Sequence, residues 1–157
     1  MLATITAYGV GLFIHILAVV LAFGPTFGYG FFFSVAPQFP RATPALMAGV
    51  QKVDRYLVSP GLIVVLLAGL YVMDKGSWDA GEGFIAVGFI AIIALFALQH
   101  GFFRPQTRRA KEIAERDLQS GDSLSDEFMA LSARIGRVGG LAGLIVVVTI
   151  FFMTVKP

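Results

Sequence analysis

The sequence predicts an all-α protein: an integral membrane bundle of four spanning helices, both termini outside, with a helical cytoplasmic loop between spans 3 and 4. Three observations predict it. First, the 157 residues are 57% hydrophobic and only 14% charged, with a mean hydropathy of +0.80, whereas soluble domains are nearer 45–50% apolar and about 25% charged. A water-soluble fold of this size would expose much of that apolar surface. Second, no Asp, Glu, Lys or Arg precedes Arg41. At about 1.5 Å per residue, some 20 such residues cross the ~30 Å hydrocarbon of a bilayer. Third, ten of the twelve cations lie in two segments on the same side of a four-span topology: Arg41, Lys52 and Arg55, then Arg104, Arg108, Arg109, Lys111, Arg116, Arg134 and Arg137. Lys75 and Lys156 are left for the other side. The excess of cations marks the cytoplasmic face and places both termini outside, which points to the cytoplasmic (inner) membrane.

The first span covers about 6–33 and begins near Thr4 or Thr6. Pro25 removes a backbone donor and predicts a kink, while Gly24 and Gly28 offer one face to a neighbouring helix. Phe31, Phe32 and Phe33 suit the interface, and Pro37 and Pro40 end the run. Next, Thr43 can cap a short helix with Pro44 in its first position. Leu46, Met47, Val50 and Val53 share a face of it, opposite Gln51, Lys52 and Arg55, so it reads as an amphipathic helix lying on or leading into the membrane.

The second span runs over about 56–73, with Pro60-Gly61 near its start. A polar turn from Asp74 to Asp79 comes next, carrying Trp78 as an interface anchor. The third span, about 83–103, contains no charge, and Gly88, Ala91, Ala94 and Ala97 supply small residues for packing. The cytoplasmic loop, about 104–134, has helical stretches around 107–119 and from about Ser125. Gly121-Asp122 breaks it, and Ser123 or Ser125 can cap the second stretch. The last span, about 135–155, opens with Gly136, Gly139, Gly140 and Gly143, two overlapping small-xxx-small pairs. The whole chain reads as a single transmembrane domain.

Some function classes drop out. The net charge of +2 comes from cations flanking the spans, so it reads as topology and gives no reason to expect nucleic acid. Without cysteine, disulfides, thiolate metal sites and a cysteine nucleophile are excluded. The start lacks a basic n-region and its apolar run exceeds that of a cleavable signal peptide. No phosphate loop, zinc-type histidine spacing or nucleophile–base set occurs. No acid lies within a span, which argues against an acid-driven ion pump.

His15 is the first candidate. It falls roughly 13–15 Å along its helix, near the bilayer middle. A neutral imidazole there can ligate haem iron or copper, relay a proton, or bond across helices to Tyr71 or Gln99. His100 comes about 16 residues into the third span, roughly 24 Å down. Together the two histidines lie on the spans that a bis-histidine haem would bridge, but at depths about 10 Å apart. Asp54-Arg55-Tyr56, where the second span enters the membrane, reads either as an interfacial clamp or as an anchor for a polar ligand. Arg104 heads a basic cluster that can hold anionic lipid head groups or simply set topology.

Several of these residues carry a resemblance. Phe13-Ile14-His15 with Ala22-Phe23-Gly24-Pro25-Thr26-Phe27-Gly28 resembles a bacterial family of predicted four-helix integral membrane proteins of unknown function. So do Asp54-Arg55 with Ser59-Pro60-Gly61, the Arg104-Pro105-Gln106 turn, and the ending Phe152-Met153-Thr154-Val155-Lys156-Pro157. The resemblance covers essentially the whole chain. More distantly, a first-span histidine followed by glycines is similar to CopD-type copper-resistance proteins and HemJ-type protoporphyrinogen oxidases. That likeness implies His15 as a ligand to haem iron or copper. Phe23 stands where those proteins carry a tryptophan, and the third span has no lysine of the HemJ type.

The expected function is therefore a small polytopic membrane protein binding haem b, or copper, through His15, with His100 as the second candidate ligand. The alternatives are a non-enzymatic accessory or assembly subunit of a larger membrane complex, packed through its glycine faces, or a small oligomeric transporter. The partners expected are membrane lipid and a second copy or larger complex.

Overall fold

The computed structural model describes residues 6–156; Thr4 and Pro157 lie outside the described residues. Within them the protein is helical, with six α-helices in four rods: α1 (Ala7–Val35), α2 (Thr43–Val53) leading into α3 (Ser59–Lys75), α4 (Gly83–Leu98) leading into α5 (Arg104–Ser120), and α6 (Asp126–Val155). Four stretches are long and apolar enough to cross a membrane: Ala7–Gln38, Pro40–Lys75, Gly83–Ser120 and Asp126–Val155. The rod ending at Ser120 has 38 residues, about 57 Å of helix. It must therefore project well beyond a ~30 Å hydrocarbon layer.

Thr6 caps α1, its hydroxyl accepting from the Gly9 N–H at 3.0 Å. The helix runs on through Pro25 to Val35. Its neighbours are α3 and α6, α6 also packs on α4, and α4 closes the ring against α3. The interior of this bundle is built from Ala18, Ala22 and Phe23 of α1, Leu62 and Val65 of α3, Ile92 and Leu95 of α4, and Val146 of α6. Outward, large apolar side chains stand exposed, Ile90 at 70% and Phe31 at 73% among them. Lipid is the solvent that accepts such a surface.

Close helix approach occurs at glycines other than those the small-xxx-small pattern singles out. A Cβ on Gly61 would lie 2.9 Å from the Ala22 Cβ, and one on Gly88 would collide with Met153. By contrast, Gly24, Gly136, Gly139 and Gly140 have nothing within 4 Å of a Cβ position. Gly28 meets only Phe32 of its own helix, and Gly143 meets the Phe27 ring at 3.3 Å. Spacing identifies a glycine face; which faces are pressed together depends on how the bundle closes.

The segment expected as a cytoplasmic loop over 104–134 is a folded cap. Here α5 continues the third rod, and α6 begins at Asp126, capped as expected by Ser125, which accepts from the Phe128 N–H at 3.4 Å, and runs unbroken into the span expected from about 135. Arg134 and Arg137 mark where that helix meets polar surroundings, not where it starts. Nor does α2 turn its apolar face to lipid. Met47 and Val50 are buried, and the helix packs on α5. With Ala110, Ile113 and Ala114 of α5 and Phe128, Leu131 and Ile135 of α6, Met47 forms a second core. Thr43 does not cap α2 as expected. Its hydroxyl donates to the Ala36 carbonyl at 2.9 Å and so ties α2 to the turn before it.

Two of the rods share a local irregularity. A π-helical turn, Asp54–Val58, joins α2 to α3, and another, Gln99–Phe103, joins α4 to α5. Each is followed by a proline in the first turn of the next helix, Pro60 and Pro105. A proline has no N–H for the carbonyl four residues back, and its ring crowds that carbonyl. Widening the helix by one residue accommodates both, and such turns are frequent at functional sites.

Candidate functional site

His15 sits on the stripe of α1 that faces α3. Its Nδ1 lies 3.0 Å from the Val65 carbonyl oxygen. A carbonyl only accepts, so Nδ1 carries the proton and Nε2 the lone pair. The ring lies against Gly69, where a Cβ would approach the imidazole to 3.1 Å. The absent side chain is what lets the imidazole reach a main-chain oxygen one turn earlier on α3. The interhelical partner is thus Val65 rather than Tyr71 or Gln99. Tyr71 instead covers Gly11 and lies beneath the Lys75 ammonium at 5.9 Å.

The remaining candidates divide. Asp54 and Gln99 are 3% and 4% exposed, each the first residue of its π turn, where the widened backbone turns it into the bundle. Tyr29 of α1 donates its hydroxyl to Asp54 Oδ1 at 2.8 Å. The Gln99 amide, His100 and Arg104 all lie close enough to act on the Asp54 carboxyl. The cluster is under-satisfied: Asp54 Oδ2, Gln99 Nε2 and His100 Nε2 are buried without a hydrogen-bond partner among the described residues. Buried polar atoms are paired in the great majority of native structures, so three together need an explanation. His100 also packs against Phe96, the ring centroids 4.3 Å apart and the planes tilted by 44°. Arg55 takes no part, its guanidinium standing 5.7 Å over the neighbouring Tyr56 ring.

His15 and His100 do not form a level pair. His15 is eight residues from the start of α1, and His100 seventeen from the start of α4, which is about 12 Å and 26 Å of helix. Among the described residues, no three His, Cys, Asp or Glu side chains are grouped to hold a metal ion. Of the basic cluster, Arg108, Arg109 and Lys111 pair with Glu112, Glu127 and Glu115.

Tyr29 is the residue that reading the sequence misses. Its signal is present: Gly11, His15, Ala18, Ala22, Tyr29 and Phe33 fall at intervals of four, three, four, seven and four, the inward stripe of one helix. Beside the cluster lies a cavity of about 330 Å³. Tyr29, Gln99 and Val58 line its inner side, and Gly136, Gly139 and Gly140 of α6 its far wall.

Four apolar rods in a closed ring, a histidine bonded across helices, and buried polar groups where two of the rods widen define a polytopic integral membrane protein. The chain belongs to a family described as predicted integral membrane proteins, DUF2269, which it matches over residues 10–157. No curated protein and no solved structure matches it, so the likeness to CopD-type and HemJ-type proteins rests on the histidine–glycine pattern alone.

Proposed function

We propose that the protein is a binding protein of the bacterial cytoplasmic membrane that holds haem b at His15, for redox chemistry or cofactor handling. The observation that carries this reading is the orientation of the imidazole. With Nδ1–H given to the Val65 carbonyl, the ring is fixed in the tautomer that leaves the Nε2 lone pair free for a metal. That is the arrangement by which a second partner orients a ligating histidine. Nε2 makes no hydrogen bond among the described residues, and the side chain is half-buried, so the lone pair is left for an occupant.

The residues fit one axial position and not two. His15 is the ligand, Val65 sets its tautomer, and Gly69 leaves the ring room. His100 lies deeper, with its Nε2 enclosed, and does not serve as the opposite ligand. Haem supplies reversible one-electron chemistry when bound; the chain supplies the donor atom and its orientation. Copper is the less favoured occupant, because among the described residues no group of three His, Cys, Asp or Glu side chains stands ready to hold a metal ion. Both termini outside, with the cap in the cytoplasm, is the orientation that the cation distribution supports.

The deciding measurement is a reduced-minus-oxidised absorbance spectrum of the detergent-purified protein, expressed with ample haem, beside His15→Ala. A Soret band near about 410–430 nm that disappears in the variant supports the reading. A parent without a band overturns it. An accessory-subunit reading then takes over, favoured by lipid-facing Gly24, which leaves open space for a partner helix. Its mark is one protein that copurifies in constant ratio and is released by Gly24→Leu.

A further inference from the structure

We propose that the cavity between α1 and α6 binds a neutral, lipid-like molecule by an uncharged oxygen head group, with Gln99 as its hydrogen-bonding anchor. Three observations converge on it. The walls carry no charged side chain: phenylalanine rings, Leu62 and Leu95, and the glycine face of α6 surround the space. Its volume of about 330 Å³ is at the lower end of small-molecule sites, enough for a six-membered ring or the head and first carbons of a chain. Gln99 lines it, 4% exposed, with Nε2 unpartnered among the described residues.

An amide has two N–H donors and an acceptor oxygen. Its nearness to Asp54 can occupy one N–H and leaves the rest of the group for the cavity. Tyr29 gives its proton to Asp54 Oδ1, so its oxygen still accepts. Gln99 and Tyr29 therefore offer a donor and acceptors but no net charge on the wall, and a hydroxyl or carbonyl oxygen matches them. An anionic head would face the Asp54 carboxyl just behind. A cationic head would find no carboxylate lining the space.

Access is from the lipid side. Phe27 and Gly30 on α1 and Gly136 and Gly140 on α6 line the cavity and are exposed, so the mouth opens laterally between these two helices. This also accounts for Gly136, Gly139 and Gly140, whose Cβ positions meet nothing within 4 Å among the described residues: their missing side chains are the volume of the site. The site is separate from His15, since neither histidine lines it. Its test is independent of any haem spectrum.

Two sources share this head-group chemistry, a quinone ring and a glyceride. The detergent-solubilised protein is therefore heated with decylubiquinone or with dioctanoylglycerol, for the parent, Gly140→Leu and Gln99→Leu. Gly140 has open space at its Cβ position, so leucine fills the cavity without pushing the helices apart. Gly140→Leu is therefore expected to melt within a few degrees of the parent when no probe is present, whereas Gln99→Leu also takes a neighbour from Asp54 and is compared with its own probe-free midpoint.

The expected result is a rise of about 5–10 °C for the parent at roughly a hundred times the dissociation constant. The rise is lost in Gly140→Leu and reduced at least tenfold in apparent affinity in Gln99→Leu. A response to decylubiquinone alone identifies a ring head, and a response to dioctanoylglycerol alone a glyceride. No response to either, or a response undiminished in Gly140→Leu, overturns the proposal.

Discussion

The bundle and the cap are built from the same kind of helix under opposite solvent rules. In the cap, Phe128, Ala110, Ala114 and Met47 are fully enclosed, and ion pairs such as Arg109–Glu127 at 2.9 Å lie outside. In the bundle, Ile90, Phe31 and Leu141 face outward at 60% exposure or more. There the inward stripe of α1 carries glycine, alanine, histidine and tyrosine beside Phe23 and Phe33. Burial of apolar area drives the cap together. Lipid tails are as apolar as the helices they surround, so the bundle must close by tight packing and interhelical hydrogen bonds. The comparison teaches that the polar residues of the bundle mark where helices meet. The Tyr29–Asp54–Gln99 cluster lies where one regime gives way to the other.

The largest expected effect comes from attacking the cap core. Phe128→Ala should cost about 3–5 kcal/mol, read as loss of amide-exchange protection over α2, α5 and the start of α6. Ile90→Ala, an equally severe truncation in the bundle, should leave stability almost unchanged, because its side chain only exchanges lipid neighbours. Equal losses for the two would break the comparison.

The reverse experiment adds volume to the bundle. Gly61→Val places atoms against Ala22 of α1, and overpacking of this kind costs about 1–3 kcal/mol. The measurement is detergent-resistant folding of α1 against α3, followed by a disulfide-trapping pair across that contact. An unchanged crosslinking yield would show that the bundle yields where the cap would not.

The smallest effect is expected at the junction. Tyr29→Phe leaves Asp54 Oδ1 without its donor, which should cost about 1–2 kcal/mol if the carboxylate stays buried and unpaired. Denaturant midpoints of Tyr29→Phe, Asp54→Leu and the double variant form a cycle. A coupling of zero would mean that the hydrogen bond contributes nothing to holding α1 on the second rod.

Much of the architecture is legible in the chain alone. Four apolar runs, Thr6 and Ser125 as caps, the break at Gly121 and the small contact residue Gly88 all come from local chemistry acting within a few residues. The cap is legible only as helical stretches. Nothing local says that the apolar face of α2 covers α5 rather than lipid, since both are apolar surroundings. The candidate site divides in the same way. His15 is visible because an ionisable group in an apolar run is conspicuous from sequence alone. Tyr29 is hidden because a tyrosine near a span's end reads as an interface residue.

The sequence by itself determined that this chain lives in a membrane, where most of its helices start and stop, and which of its polar residues lie within the spans. Composition, hydrophobic run length and capping are properties of neighbours along the chain. Only the tertiary structure decided that the histidine bonds to Val65, that Asp54 and Gln99 enter one buried cluster through two π turns, and that Gly136, Gly139 and Gly140 of α6 line a cavity instead of a helix contact. Those outcomes depend on how four rods rotate about their axes and slide along one another. A rotation of one residue, about 100°, would give the same hydropathy profile and a different site.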